Sequence, residues 1–305
     1  MAFQKGCIMA TINSSRAQSV VRAATTFQSR RFKRGSFLTL IYLLLVIILI
    51  VQFFPIIWAL LTSLMTSQET TSVPATLVPA HPTLQSYSDA IHGDIGHYYI
   101  NSIIAAVVST VVTMVLATLA AYSFARLRFR FKTPLLIIVL ALSFFPPLAQ
   151  VIPLYRILQS LHLIGTLGAL ILPYSVFGLP LAVLVLMAFF GEIPLDFEEA
   201  AFMDGMTRLG AFVRIILPMA APGLFTTAII VFVGNWNEYL FALNFTTTGT
   251  YTLPVGLVTI SQTEFTTNFG ILSAATILSV VPLVVLILLL ERRIVSGLMA
   301  GGLKG

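Results

Sequence analysis

Cysteine is nearly missing from this chain of 305 residues. Cys7 stands alone, which excludes a disulfide framework and leaves no thiol pair to hold a metal. It precedes Ile-Met-Ala and follows no apolar run, so it reads as an inert thiol and not as a lipid anchor. Charge is almost as scarce, at 9% of residues against 58% hydrophobic ones, where soluble domains carry about a quarter. That excludes a soluble domain and makes the chain an integral membrane protein. Acid is absent from residues 1–35, and Lys and Arg are absent from 65–98 and 244–268. The chain also lacks a Gly-x4-Gly-Lys-Ser/Thr phosphate loop, a His-Glu-x2-His pair and a Gly-x-Ser-x-Gly elbow. Neither nucleotide hydrolysis nor zinc or serine hydrolase chemistry is therefore expected of it.

Long apolar runs are what the sequence does contain. The first, Phe37 to about Leu61, carries no charge. At about 0.3–0.6 kcal/mol for each Leu, Ile, Phe or Val, its insertion is favourable by several kcal/mol. Pro55 is positioned to kink it. Five more runs reach the roughly 20 residues a crossing needs: 99–125, 133–152, 167–190, 223–243 and 269–290. The predicted fold class is all-α, with six transmembrane helices across 36–290, a basic tail at 1–35 and a second tail at 291–305. A presequence for organelle import would resemble residues 1–35. A cytoplasmic tail fits better, because Arg30, Arg31, Lys33 and Arg34 immediately precede the first run. With both termini inside, sixteen of the seventeen Lys and Arg residues fall on the cytoplasmic face and only Arg156 lies outside. The net charge of +6 thus reports membrane orientation and not nucleic-acid binding.

One acidic stretch interrupts the apolar runs, between 191 and 222. Pro194 and Asp196 predict a helix start, Gly205 a left-handed stop, and Thr207 the cap of a second helix to Pro218. An amphipathic helix lying in the headgroup layer is the alternative. Such a helix carries Lys or Arg on its polar face, and 191–205 has none. The stretch reads Glu199-Ala200-Ala201, then Gly205, then Ile215, Leu217 and Pro218. It resembles the coupling loop of the membrane subunits of bacterial ABC importers, and every fixed position of that pattern is filled. In that family the loop enters a cleft on a separate ATPase subunit. The resemblance makes Glu198, Glu199, Ala200, Ala201, Phe202, Met203, Asp204 and Gly205 the ATPase-coupling candidates. Chemically, Ala200 and Ala201 permit close backbone approach, Phe202 and Met203 give adaptable apolar contact, and Glu199 and Asp204 suit a basic partner.

Elsewhere, His92, Asp94 and His97 sit among glycines ahead of the second run and read as a flexible lead-in and not as a metal site. Ala105, Ser109, Thr113, Ala117, Ala121 and Ala125 recur at every fourth position, a stripe that lets helices pack closely in lipid. It winds slowly and should meet more than one neighbour. Pro146-Pro147 in the third run breaks helical regularity, either as the lining of a translocation path or as a kink near the outer surface. The fifth run holds Asn235, Trp236, Asn237, Glu238 and Tyr239. Asn235, Glu238 and Tyr239 would share a helical face roughly 22 Å from the inner surface. Polar groups beside rings suit a sugar, and Asn235, Asn237, Glu238 and Tyr239 are substrate-path candidates. A hydrogen-bond network between helices is the equal alternative.

From about Tyr98 onward the order of features is similar to one branch, the carbohydrate permeases of the maltose and trehalose type. It includes Asn101-Ser102, Ala121 to Arg126, Ile193-Pro194, Trp236-Asn237-Glu238 and the tail from Ser296-Gly297 to Lys304-Gly305. The resemblance implies the type I importer permease fold in a bacterial inner membrane. The partners it implies are a second homologous permease, an ATPase pair, an extracytoplasmic sugar-binding protein and membrane lipid, with no nucleic acid. ATP and Mg would be bound on the ATPase, and this chain would bind no cofactor. The expected cargo is a di- or oligosaccharide, with glycerol phosphate or a polyol as the alternative. A secondary transporter would need ion or proton sites at mid-membrane and usually an internal repeat; the spans hold one acid, Glu238, and no repeat. A membrane enzyme would need paired catalytic groups, and Glu238 has no in-span companion.

Overall fold

A computed structural model describes residues 40–263 and 268–302, with side chains at 40–259 and 268–289. Among the described residues all regular structure is helical. The expectations for Cys7, for the basic tail and for the side chains after Leu289 lie outside them. Two compact units are present, Met1–Trp58 and Ala59–Gly305. The first holds most of α1 (Leu40–Ser63), a helix long and apolar enough to cross a bilayer, with Phe54 and Trp58 stacked 6.3 Å apart.

The second unit opens with α2 (Ser67–Thr70) and α3 (Gln85–His92) and is built around α4 (Asp94–Arg126). In α4 the small-residue stripe is buried at Ala105, Ser109, Thr113, Ala117 and Ala121 and half-buried at Ala125. It meets α7 (Gly168–Phe177), α8 (Leu179–Glu192) and α12 (Ala221–Trp236), the several neighbours that its slow winding predicts. Close approach also lets polar groups bond across the contact. Thr113 donates to the Ser175 carbonyl at 3.1 Å, and Ser175 donates to that of Ser109 at 3.4 Å.

Among the described residues, only α1, α4 and α15 (Phe269–Gly302) contain an uninterrupted stretch able to cross; three bent pairs raise the count to as many as six. The first pair joins α5 (Lys132–Ala141) and a short 3-10 turn to α6 (Pro147–Ser160) at 104°. Pro146 and Pro147 lack the N–H groups that would continue a helix, and Phe144 and Phe145 stand exposed at the corner. α7 and α8 meet at 42° beside Gly178, where an added Cβ would lie 3.1 Å from the Thr113 methyl. The third bend, 74°, falls at Ala220.

Among the described residues three apolar clusters fill the unit. One joins α4, α8 and residues 212–220, and includes Ala121, Leu186, Phe190, Phe212 and Ile216. Another joins α4, α6 and α7 to α13 (Leu240–Phe245) through Leu158, Leu170, Tyr174 and Phe241. The last ties α3, α4 and α12 to α14 (Leu253–Thr263) and α15.

Candidate functional site

The acidic stretch folds as a helix, a tight turn and a second helix. α8 ends at Glu192, Ile193 is extended, and α9 runs Asp196–Met203. Asp196, Glu198 and Glu199 fill its first turn, the end of a helix dipole that favours negative charge. No side chain caps that end, so Asp196 does not accept from the free N–H groups as its position had suggested. Gly205 has φ +79°. Its N–H reaches the Phe202 carbonyl, and that of Met206 reaches Ala201, the paired bonds of a Schellman stop. Thr207 then caps α10 (Arg208–Ala211), its hydroxyl accepting from Gly210 N at 3.2 Å. Phe212–Ile216 widens into π-helix ahead of α11 (Leu217–Met219). The widened turn ends just before Pro218, which has no N–H to donate.

Aromatic packing fixes this segment to the bundle. The Phe212 ring lies 4.5 Å from Tyr122 of α4 and 6.4 Å from Phe190 of α8. On the other side of α9, Glu199, Ala200, Phe202, Met203, Asp204 and Gly205 are exposed, Met203 at 88%. Glu198 and Ala201, three apart on the opposite face, are 7% and 1% exposed. Of the eight coupling candidates, these two therefore contact their own chain and are not open to a partner. Beside them a cavity of about 270 Å³ is lined by Arg126, Arg128, Arg208, Glu198 and Phe202.

The polar cluster of the fifth run is arranged differently from its sequence reading. α12 stops at Trp236 and α13 starts at Leu240, so Asn235, Glu238 and Tyr239 do not lie along one continuous helix. Glu238 turns back to accept from Phe241 N at 2.8 Å and Ala242 N at 3.1 Å, and from the Tyr174 hydroxyl at 2.7 Å. Its carboxylate thereby caps α13 and fastens it to α7. Asn235 donates to Ser109 at 3.0 Å and Thr110 at 3.3 Å on α4. Trp236 is buried and donates to the Ser279 carbonyl. Asn237 is exposed and bonds the Val233 carbonyl one turn back, and half-buried Tyr239 packs on the α6–α7–α13 cluster. Of the two sequence readings, this geometry favours the network between helices.

At the far end of α4, sequence reasoning missed a clasp. Asn101 donates to the carbonyls of Gly249 and Tyr251, His97 bonds Gly249, and Ser102 accepts from Leu253 N at 2.7 Å. Gly165 N donates to the Phe245 carbonyl, and the Thr250 hydroxyl donates to that of Gly165. Asn101-Ser102 had registered only as one of the features similar to the carbohydrate permeases. Its paired side-chain donor and acceptor were the available signal. His92 bonds its own helix at the Ser88 carbonyl, and among the described residues no three His, Cys, Asp or Glu side chains gather as a metal site.

Residues 113–299 match the model of the binding-protein-dependent transport system inner membrane component family. The chain belongs to that family. Among similar proteins is the sulfoquinovosyl glycerol transport system permease of Agrobacterium fabrum, 42% identical over 85% of this chain and 91% of that one. The trehalose transport system permease of Mycobacterium tuberculosis is 40% identical over 82% and 92%. One chain of a crystal structure of a bacterial ABC transporter involved in alginate import superposes with a TM-score of 0.71 at 20% identity, covering 82% and 94%. That likeness shows the importer permease fold. The protein is thus an ABC importer permease, an inner-membrane component of a binding-protein-dependent system, and not itself an enzyme.

Proposed function

We propose that this permease is one of two homologous membrane subunits that import a di- or oligosaccharide, with ATP and Mg bound by a separate ATPase pair. The observation that carries the coupling part is the exposed Glu199–Gly205 face, held to the bundle by the Tyr122–Phe190–Phe212 rings. An ATPase cleft gripping this face would grip the core of the bundle with it. Glu199 and Asp204 offer charge-assisted bonds, and Phe202 and Met203 adaptable apolar contact. In this orientation both termini are cytoplasmic, six spans cross, and the loop clasped by Asn101 faces an external binding protein. Lipid surrounds the remainder.

The sugar part rests on relatives, which include permeases of sulfoquinovosyl glycerol and trehalose transport systems. Both compounds are small glycosides. Asn235, Glu238 and the packed Tyr239 act in this reading as struts, while Asn237, exposed at the break, is the remaining candidate for touching cargo. The test is uptake by proteoliposomes holding the whole complex, with ATP inside and the binding protein outside. ATP-dependent uptake of trehalose or maltose is expected. Uptake of glycerol phosphate or a polyol in preference to both would overturn the sugar class, and uptake without an ATPase would overturn the importer mechanism.

A further inference from the structure

Adjacent acids on α9 serve opposite directions. Glu199 points outward, whereas Glu198 is 7% exposed and enters the bundle. There it forms an ion pair with Arg126 at 3.1 Å, with side chains 10% and 6% exposed respectively and an alignment that falls short of a hydrogen bond. Arg126 is the last residue of α4, and its Nη2 also donates to the carbonyl of Ile193, at the junction of α8 and α9. Tyr122, one turn back, donates its hydroxyl to the second Glu198 oxygen at 3.4 Å. One guanidinium thus ties together the end of α4, the exit of α8 and the first turn of α9. Among the described residues it makes the only ion pair.

Packing alone does not call for charges here. Taking an ion pair out of water costs most of what its attraction returns, and apolar residues of similar volume often serve stability as well or better. What a paired charge adds is a definite geometry. We propose that Arg126 and Glu198 are positioning residues that lock α9 to the inner end of α4, so that force on the exposed face is delivered to α4. Glu198 thereby acts within its own chain and not as a contact to the motor. This inference rests on the docking of the ATPase at the Glu199–Gly205 face.

The test uses the whole complex in nanodiscs. A fluorophore is placed at Ile100→Cys, an exposed position near the outer end of α4, in a Cys7→Ser background, and its signal is read before and after addition of ATP with vanadate, which replaces the released phosphate and traps ADP. The variant is Arg126→Met with Glu198→Leu, which removes both charges together and so leaves neither buried alone. A purely structural pair would be replaced without functional loss. The lock predicts that this variant retains its ATPase and its membrane level while the nucleotide-driven signal change falls by about fivefold or more, the scale of a typical coupling between sites. An unchanged signal overturns the inference. So does loss of ATPase co-purification in Glu198→Gln alone, because that would make Glu198 a direct contact. Met203→Arg separates the two readings, since its side chain is 88% exposed and touches coupling only through a partner. ATPase attachment unaffected by Met203→Arg overturns the docking reading and the lock with it. Attachment lost there with the signal intact in the apolar pair overturns the lock alone.

Discussion

Substituting Gly205 separates backbone strain from contact with a partner. Gly205 has φ +79°, and a Cβ built on it meets nothing of its own chain within 4 Å. Any substitution there costs only the left-handed backbone, about 1–2 kcal/mol for an ordinary L-residue and less for Asn, whose short polar side chain visits that region more readily. A cost of that size lowers the population of the closed turn by a factor of about 5–30 relative to its alternatives. The assay is solute imported per ATP hydrolysed, with the whole complex in proteoliposomes and membrane level measured in parallel. The expected order of retained coupling is Gly205, then Asn, then Ala, with membrane insertion unchanged throughout. Leu carries the same backbone cost as Ala and has free space in this chain, so any further loss in Gly205→Leu measures a surface supplied by another subunit. Full coupling in Gly205→Ala and Gly205→Leu, or Asn behaving no better than Ala, would refute the reasoning.

Two further outcomes follow from hydrogen bonds outside the turn. Glu238→Ala leaves the Phe241 and Ala242 N–H groups and the Tyr174 hydroxyl without their acceptor; at the scale of bonds to a charged group, a loss of about 2–4 kcal/mol is expected. It should appear as a lower thermal midpoint in detergent with cargo preference unchanged, and a change of preference at unaltered stability would restore Glu238 as a cargo contact. Glu69 accepts from the N–H groups of Thr66, Ala80 and His81, and the Thr66 N–H above all holds its pKa below the ordinary 4.5. Its contribution to loop order is therefore fully present above that value and is lost as pH falls through the lowered one. Amide exchange at Ala80 and His81, corrected for intrinsic rates, should accelerate in Glu69→Gln at neutral pH. Equal protection in both proteins would show that the carboxylate does not order the loop.

The local features were the legible ones. Gly205 and Thr207 encode their turn by conformational freedom and capping, both properties of a few neighbouring residues. The stripe from Ala105 to Ala121 encodes its burial because small residues permit close approach. The break after Trp236 was not legible, because neither proline nor glycine follows it in 237–248. Its stabiliser, Glu238, takes one of its partners from Tyr174, sixty-four positions away. The inward turn of Glu198 was missed for a related reason. Its three-residue spacing from Ala201 places the two on one face, but what that face meets is decided by Arg126 at the end of another helix. The corner at Pro146 was foreseen as a break, whereas its 104° angle depends on packing that no local run records.

The unbroken length of α4 has a mechanical consequence. Its 33 residues, at about 1.5 Å each, make a beam roughly 50 Å long, well beyond the roughly 30 Å hydrocarbon layer. No proline interrupts it, while α5–α6, α7–α8 and the segment leading into α12 all carry joints. A stiff beam does not absorb a tilt along its length. Leaning it by about 5° about one end carries the other end about 4 Å, and that swing arrives at the Gly249–Tyr251 loop that Asn101 holds.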